Sequence, residues 1–326
     1  MLVDHLPRLS LGFLPTPIHP LPGLSRALMG PDLWIKRDDQ TGLGAGGNKV
    51  RKLELLIAEA MAQGADTVLT AGAPQSNHAR QTAAAAARNG LACLLALRGK
   101  APEVVTGNLL LDHLFGADVR WAGDRPFPEM LAELAEEVSG RGGKPYIIPY
   151  GGSNELGTAA FAEAMVELLQ QSREASVEFD RVLFASSSGG THAGLLLGAH
   201  ALGYRGQIVG ISVDKTETGL HDVILRLMTR TARLLRLDSV PPEREVLLDN
   251  RCLGAGYAIM GEPEREAILM MASTEGILLD PVYTGRALAG LVSMVRNEEI
   301  GKGEKLLFWH TGGMPALFAY NRQLMA

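Results

Sequence analysis

The sequence lacks most features that mark secreted, membrane-bound or nucleic-acid-binding proteins. Its 326 residues include two cysteines, Cys93 and Cys252, which are far apart and have no metal-type spacing, so neither a disulfide framework nor a zinc site is expected. No basic run occurs, and a net charge of -5 argues against a nucleic-acid partner. No apolar run reaches the ~18 residues of a membrane span, and the N-terminus lacks a signal-peptide core. We expect a soluble, cytoplasmic protein without a metal.

What the sequence does contain is an alternation of short strand patterns with helical patterns. This alternation favours an α/β fold with mainly parallel, twisted sheets covered by helices. The chain is longer than the ~250–300 residues at which single cores stop growing, so two lobes are expected. We predict a small lobe at 49–160 and a large lobe at 1–48 and 161–326. Strands are expected at 68–70, 94–97, 146–148, 182–185, 208–213 and 306–309, and helices from residue 49 to before Gly64 and at 81–88, 128–139, 156–171 and 264–275.

Lys49 stands at the start of an amphipathic helix pattern, directly after Gly46, Gly47 and Asn48. The positive end of a helix dipole disfavours a cation there and favours a neutral amine or imine. Such a placement is typical of a lysine that presents its amine to a cofactor. Taken alone, this segment would favour the alternative of an ordinary lysine beside a flexible loop, and further segments of the chain argue against that alternative.

A second segment, Ser188, Gly189, Gly190 and Thr191, follows a buried-looking strand and opens a helix. Backbone N–H groups at a helix N-terminus, approached through glycines and assisted by hydroxyls, bind anions such as phosphate. No GK[ST] sequence follows, which excludes a nucleoside triphosphate loop and favours one small phosphomonoester. A serine-rich turn that only caps the helix is the alternative.

A third segment, Ser76, Asn77 and His78, ends a strand and precedes the alanine-rich helix. It carries more polar side chains than a helix cap requires, at the kind of position where a substrate carboxylate can be held. Capping alone is the alternative.

A competing pattern, the G-x-G-x-x-G sequence at 42–47, argues for a dinucleotide site only weakly. The acidic residue that such a site requires at the end of the second strand is missing. The segment before it, with Lys36 and Asp38, is also too charged for a fully buried central strand. Dinucleotide binding is therefore disfavoured.

Five segments in this order resemble the pyridoxal-phosphate-dependent D-cysteine desulfhydrase and aminocyclopropane carboxylate deaminase family, of the tryptophan synthase β superfamily (fold type II). They are Gly46-Gly47-Asn48-Lys49, Gln75-Ser76-Asn77-His78, Ser188-Gly189-Gly190-Thr191-His192-Ala193-Gly194, Asp280-Pro281-Val282-Tyr283-Thr284-Gly285 and His310-Thr311-Gly312-Gly313. The resemblance covers nearly the whole chain. It implies a two-lobed fold and a homodimer that uses pyridoxal 5'-phosphate on a small amino acid.

By this resemblance, Lys49 would form an imine with the cofactor aldehyde, and Ser188, Gly189, Gly190 and Thr191 would bind the phosphate. Asn77 would hydrogen-bond the ring oxygen. The substrate would meet Ser76, Asn77, His78, Tyr257 and Tyr283, with Lys49, Ser76 and Tyr283 as the catalytic candidates. Which group removes the α-proton is left open.

One departure within the family bears on the reaction. Aminocyclopropane carboxylate deaminases carry glutamate where this chain has Thr284. A hydroxyl from Thr284 or Thr311 leaves the pyridine nitrogen neutral, which suffices for α,β-elimination but disfavours ring opening. A carbon-sulfur lyase is therefore expected, most simply a D-cysteine desulfhydrase that releases pyruvate, ammonia and hydrogen sulfide.

Three other functions remain open from the sequence. Two are enzymatic: aminocyclopropane carboxylate deaminase, and an L-cysteate sulfo-lyase with Arg37, Arg80 or Arg286 as counterion for the sulfonate. The third, from another class, is a non-catalytic protein that binds the cofactor and an amino acid.

Overall fold

The computed structural model describes residues 2–214 and 217–325 and arranges them around two twisted β-sheets. The larger sheet has the strand order β1-β2-β10-β7-β8-β9, and the smaller has the order β5-β4-β3-β6. The strands are β1 (Ile18–Pro20), β2 (Asp32–Arg37), β3 (Thr67–Gly72), β4 (Ala92–Arg98), β5 (Asp118–Gly123), β6 (Pro145–Ile147), β7 (Arg181–Ser186), β8 (Gln207–Ser212), β9 (Leu247–Asp249) and β10 (Lys305–His310).

Every strand pairing in both sheets is parallel except the pairing of β1 with β2. Helices make the connections, as parallel strands require. They are α1 (Pro22–Leu28), α2 (Lys49–Ala62), α3 (Asn77–Arg88), α4 (Gly107–Leu114), α5 (Phe127–Gly140), α6 (Glu155–Glu174), α7 (Gly190–Ala201), α8 (Glu217–Leu234), α9 (Glu262–Glu275), α10 (Thr284–Arg296) and α11 (Asn321–Met325). The predicted α/β class with mainly parallel sheets is confirmed.

The predicted strands and helices are all present, with small differences at their ends. The largest difference is in α3, which begins at Asn77 rather than at residue 81 because Ser76 caps it by accepting a hydrogen bond from the Ala79 N–H at 3.2 Å. The sequence patterns missed α1, α4, α8, α10 and α11, and also the strands β1, β5 and β9. The four strands of the smaller sheet lie between Thr67 and Ile147, while the lobe boundaries at 49 and 160 stay a prediction.

The charged segment at 36–39 is predicted not to form a fully buried central strand. Arg37 of β2 is indeed only half-buried and Asp38 and Asp39 follow the strand, but Lys36 departs from this expectation. Strand β2 lies inside the larger sheet, between β1 and β10, and the Lys36 side chain is fully buried. Its amine forms an ion pair with Glu167 of α6 and donates to the Thr16 carbonyl at 2.7 Å. The strand tolerates the charge because a carboxylate from a distant helix neutralises it.

The Glu167 carboxylate also binds Arg51, so this one side chain of α6 is connected to both β2 and α2. Arg51 of α2 donates to Glu167 at 2.8 Å and to Asp38, just after β2, at 2.9 Å. Helix α2, which carries Lys49, is therefore tied both to the larger sheet and to α6.

Helices cover both faces of the larger sheet. Helices α6, α7 and α8 supply one apolar layer, and α1, α9 and α10 supply the other. Helix α7 lies very close to α6: a Cβ added at Gly198 would be 2.6 Å from the Ala162 carbonyl oxygen. The smaller sheet has its own apolar layers, built in part from α2, α3 and α5. Among the residues described, no helix is both long and apolar enough to cross a membrane.

Replacement of Glu167 by glutamine is expected to lower the free energy of unfolding by about 3 kcal/mol, because it leaves the Lys36 charge buried without its counterion. Urea titration measures this change. The control is Glu174→Gln on the same helix, since Glu174 is exposed and bonds only Gln170 among the residues described. An equal effect of the two changes would contradict the prediction.

The ion pairs also predict how stability depends on pH. Burial opposes ionisation of Glu167, but Arg51 and Lys36 outweigh it and lower its pKa from 4.5 to about 2. A lowered folded-state pKa contributes stability above the unfolded value, and this contribution is lost as the pH falls from about 4.5 toward 2. The free energy of unfolding, measured from pH 6 to pH 3, should therefore decrease less in Glu167→Gln than in the wild type. Parallel curves would contradict this prediction.

Candidate active site

A cavity opens where the carboxyl ends of strands from both sheets come together. Loops after β3, β6, β7 and β10 supply its wall, as expected for ligand sites in open α/β folds. The lining residues are Asn48, Lys49, Ser76, Asn77, His78, Tyr150, Gly151, Ala185, Ser186, Ser187, Ser188, Gly189, Thr191, His192, Tyr283 and Thr311. Most of the residues that the sequence motifs singled out thus meet in one place.

Lys49 is the first residue of α2, and its side chain lines the cavity. Gly47 precedes it with φ of +130° and leaves no room for a side chain, since a Cβ there would lie 2.5 Å from the Gln81 amide. Burial lowers the pKa of the Lys49 amine to about 8. A substantial neutral fraction at neutral to mildly alkaline pH makes the amine a nucleophile and a proton acceptor.

The turn from β7 into α7 has the features of an anion site. Gly189, with φ of +80°, turns the chain from β7 into α7, so the first N–H groups of this helix face the cavity side. The Ser188 hydroxyl lies 2.7 Å from the Ser153 hydroxyl, and the Gly190 N–H donates to Ser153 at 3.3 Å. The Thr191 hydroxyl accepts from the Asn48 amide at 3.3 Å.

Lys52 is not a lining residue, but its amine lies close to Gly190 at the start of α7, and it was not identified from the sequence. Its buried amine donates to the Gly151 carbonyl at 3.1 Å and to the Ser153 hydroxyl at 3.0 Å. Burial and the nearby Lys49 charge hold its pKa well below the usual range. Its position three residues after Lys49, on the same helical face, was the available signal.

The segment after β3 is fixed by α4. The Asn108 side-chain amide donates to the Asn77 side-chain oxygen at 2.8 Å and to the Gln75 carbonyl at 2.8 Å. The Asn77 oxygen is thereby engaged, which leaves its NH₂ group as the donor available to a ligand. Ser76 lies at the cavity wall while capping α3, so it has both the capping role and the location that the sequence suggested.

The histidines of these loops are buried and hydrogen-bonded. The Thr70 hydroxyl donates to the Ile148 carbonyl at 2.8 Å, so the His78 Nε2 atom, 2.9 Å away, is the donor to it. Burial, with Lys49 and Lys52 nearby, holds the pKa of His78 well below its usual range, so the ring is neutral. Within residues 2–214 and 217–325, no group of three or more His, Cys, Asp or Glu side chains could hold a metal ion.

Two phenols, Tyr150 and Tyr283, belong to the remaining wall, whereas Tyr257, which the sequence also proposed, is not among the lining residues. The Tyr257 and Tyr283 hydroxyls are 2.6 Å apart, with their rings at 71°. A third phenol, Tyr150, begins a turn after β6 and lines the cavity, although no sequence motif pointed to it.

The two threonines proposed from the sequence differ in position. The Thr284 hydroxyl donates to the Asp280 carboxylate at 2.8 Å and accepts from the Asp280 N–H at 2.8 Å. Thr284 is fully buried and is absent from the cavity wall, whereas Thr311 lines it. Of the two, Thr311 is therefore the hydroxyl that a bound ring can reach.

None of the three arginines considered as sulfonate counterions reaches the cavity wall. Arg286 is buried against Glu264, and Arg80 is buried with one nitrogen donating to the Gly46 carbonyl at 2.7 Å. Arg37 is paired with Asp39 at 2.7 Å.

Comparison with known proteins identifies the family. A family model described as pyridoxal-phosphate dependent enzyme matches residues 9–312. A D-cysteine desulfhydrase of Klebsiella pneumoniae (strain 342) is 43% identical over 328 residues, which cover 99% of this chain and 98% of the relative. A putative 1-aminocyclopropane-1-carboxylate deaminase of Pyrococcus abyssi (strain GE5 / Orsay) is 41% identical over 330 residues, with 99% and 97% covered.

Solved structures agree with this family. The crystal structure of an ACC deaminase homologue superposes with a TM-score of 0.92 at 41% identity and covers 99% of this chain and 97% of its own. A pyridoxal 5'-phosphate-dependent aspartate racemase, at 19% identity, a TM-score of 0.65 and coverage of 91% and 90%, shares the fold alone. The chain therefore belongs to the pyridoxal-phosphate-dependent enzymes and has the two-lobed fold type II architecture. Within them it is similar to D-cysteine desulfhydrase and to ACC deaminase, and its cofactor is pyridoxal 5'-phosphate.

The residues of the cavity fit this cofactor. A Cβ added at Gly190 would lie 2.6 Å from the Ser153 hydroxyl and 2.9 Å from the Lys52 amine. Only glycine therefore leaves room for an anion between these groups and the start of α7. A phosphate there would meet helix N–H groups, two hydroxyls and a lysine, while the aldehyde end would face the Lys49 amine.

Replacement of Lys52 by glutamine is expected to weaken cofactor binding by about 10-fold to 100-fold, because hydrogen bonds to charged groups contribute about 1.5–3 kcal/mol. Titration of the cofactor into the apo-protein, followed by tryptophan fluorescence, measures the dissociation constant. Lys100→Gln, at an exposed lysine, is the control. Unchanged affinity in Lys52→Gln would remove Lys52 from the phosphate site.

Proposed function

We propose that this enzyme is a D-cysteine desulfhydrase, which eliminates hydrogen sulfide from D-cysteine and releases pyruvate and ammonia. The observation that carries the proposal is the chemistry of the cavity wall. Among the described residues that line it, none is aspartate or glutamate, and the group suited to the ring nitrogen is the Thr311 hydroxyl.

The absence of aspartate and glutamate among the described lining residues bears on which bond of the substrate is broken. When bound, pyridoxal phosphate supplies an electron sink for the pair released at Cα. A carboxylate beside the pyridine nitrogen would keep that nitrogen protonated and strengthen the sink, whereas a neutral hydroxyl does not. A weaker sink is sufficient to remove the α-proton and expel a good leaving group from Cβ. It is poorly suited to opening a cyclopropane ring.

Lys49 and the residues around it provide the proton chemistry. The Lys49 amine, with its pKa lowered by burial to about 8, can accept a proton near neutral pH without a partner base. Ser76 and Tyr283 also line the cavity and are the other candidates for handling the α-proton. Burial holds the pKa of Tyr283 well above its usual range, so this phenol acts as a hydrogen-bond donor and not as a phenolate.

The remaining polar groups orient the substrate. The Asn77 amide, fixed by Asn108, is the proposed donor to the cofactor ring oxygen. The helix start at Ser76, Asn77 and His78 is the proposed site of the substrate carboxylate, because its N–H groups and dipole favour an anion. Tyr257 and Tyr283 face the substrate in this arrangement.

ACC deaminase is the second candidate function, and the similarity to the Pyrococcus abyssi relative and the solved homologue favours it. An L-cysteate lyase has less support, because Arg37, Arg80 and Arg286 lie away from the cavity wall and are engaged elsewhere. A homodimer in the cytoplasm is the setting that the family resemblance suggests.

The test is keto-acid release from D-cysteine, L-cysteate and 1-aminocyclopropane-1-carboxylate, measured in parallel with purified holoenzyme. D-Cysteine should give the highest kcat/KM, and pyruvate and sulfide should appear in equal amounts. Faster release from the cyclopropane substrate would overturn the assignment in favour of the deaminase.

Lys49→Ala should lower turnover of D-cysteine by at least about 100-fold, because both the anchoring amine and a proton acceptor are lost. Lys100→Ala, at an exposed lysine, should retain wild-type turnover. Near wild-type activity in Lys49→Ala would refute the central role of this residue.

A further inference from the structure

Tyr150 contributes a hydroxyl to the cavity from the side of the smaller sheet. It follows β6, whereas Tyr257 and Tyr283 follow β9 and precede α10 on the side of the larger sheet. Tyr150, Ser187 and Tyr283 all line the cavity, and the Tyr150 side chain interacts with Tyr257, Ser187 and Tyr283. Tyr257 joins this group through its hydroxyl contact with Tyr283.

An aromatic side chain packs against the Tyr150 ring. Phe127, at the start of α5, stacks against it with ring centroids 6.3 Å apart and an interplanar angle of 18°. The Arg98 guanidinium in turn lies 4.3 Å from the centre of the Phe127 ring. This stack packs against one face of the Tyr150 ring and favours one orientation of its hydroxyl, as suits a recognition group.

The three phenols are neutral donors. Burial raises the pKa of Tyr150 and holds the pKa values of Tyr257 and Tyr283 well above the usual range. Each phenol has one O–H that rotates and one oxygen that accepts, so a polar atom entering the group can receive a hydrogen bond from it. An alkyl group in the same place would break hydroxyl contacts and replace none of them.

We propose that Tyr150 is a specificity-determining residue that, together with Tyr257 and Tyr283, hydrogen-bonds the heteroatom on Cβ of the substrate. This proposal rests on the proposed elimination activity and names the substrate class: small amino acids whose Cβ carries an uncapped thiol or hydroxyl. As the Cβ–S bond breaks, its electron pair goes to sulfur, which leaves as HS⁻. The hydroxyl hydrogen bonds stabilise that charge, and every tyrosine keeps its proton.

The Tyr150→Phe holoenzyme tests the proposal with two substrates that differ at Cβ. With D-cysteine, kcat/KM should fall about 10-fold, the loss of one hydrogen bond to a charged group. With β-chloro-D-alanine, whose chloride is a weak acceptor and a good leaving group, kcat/KM should change less than about 2-fold. Tyr146→Phe is the control, because Tyr146 in β6 bonds Glu59 away from the cavity wall and should leave both values unchanged.

Equal losses for both substrates, or no loss for D-cysteine, would overturn the inference. Competitive inhibition of the wild type gives a test without a variant: D-serine should bind more tightly than D-2-aminobutyrate, which has a methyl in place of the hydroxyl. Equal inhibition constants would count against the hydroxyl contact. A wild type that releases no keto acid from D-cysteine or β-chloro-D-alanine would instead overturn the proposed function itself.

Discussion

The removal of the Lys49 amine from water is the constraint on which the rest of the site depends. An amine at the start of a helix, without a carboxylate beside it, is costly to keep charged, and its pKa falls to about 8. The glycines before it let the chain approach the loop after β10, where the Asn48 N–H donates to the Thr311 carbonyl at 2.9 Å. Apart from Lys49, the described residues that line the cavity supply hydroxyls, amides, imidazoles and phenols. The reactivity of the lysine is thus a property of its surroundings more than of its sequence neighbours.

Most buried cations that the structure describes away from the cavity have a carboxylate partner, the exception being Arg80, which bonds the Gly46 carbonyl. Lys36, Arg51 and Arg286 each meet a carboxylate, supplied by Glu167, Asp38 or Glu264. Beside the cavity, Lys52 is bonded to a carbonyl and a hydroxyl, and no carboxylate ion pair with it or with Lys49 forms among the described residues. A phosphate dianion bound at the proposed site would supply the counter-charge for Lys52 that no described carboxylate provides.

The sequence predicted the parts of this arrangement that are local. Strand ends, glycines with positive φ and helix starts leave local patterns, and Lys49, Ser76, Asn77 and the segment from Ser188 to Thr191 were found for that reason. Groups that depend on distant contacts left no such pattern. Burial of Lys36 requires Glu167 from α6, the position of Lys52 requires Ser153, and the placement of Tyr150 requires Phe127 and Arg98. The choice between Thr284 and Thr311 also needed the structure, because only there is the hydroxyl of Thr284 seen to be engaged by Asp280.

Lys49 and Lys52 are three residues apart on one helix, and this spacing has a mechanical consequence. Lys49, the proposed partner of the cofactor aldehyde, and Lys52, the proposed phosphate ligand, belong to one rigid helix, so the spacing of their backbones is set by the helical repeat and not by how the two sheets stand relative to each other. A movement of one sheet relative to the other would leave the spacing of these two residues along α2 unchanged. It would instead change the distance from α2 to groups on other elements, such as Tyr283 at the start of α10.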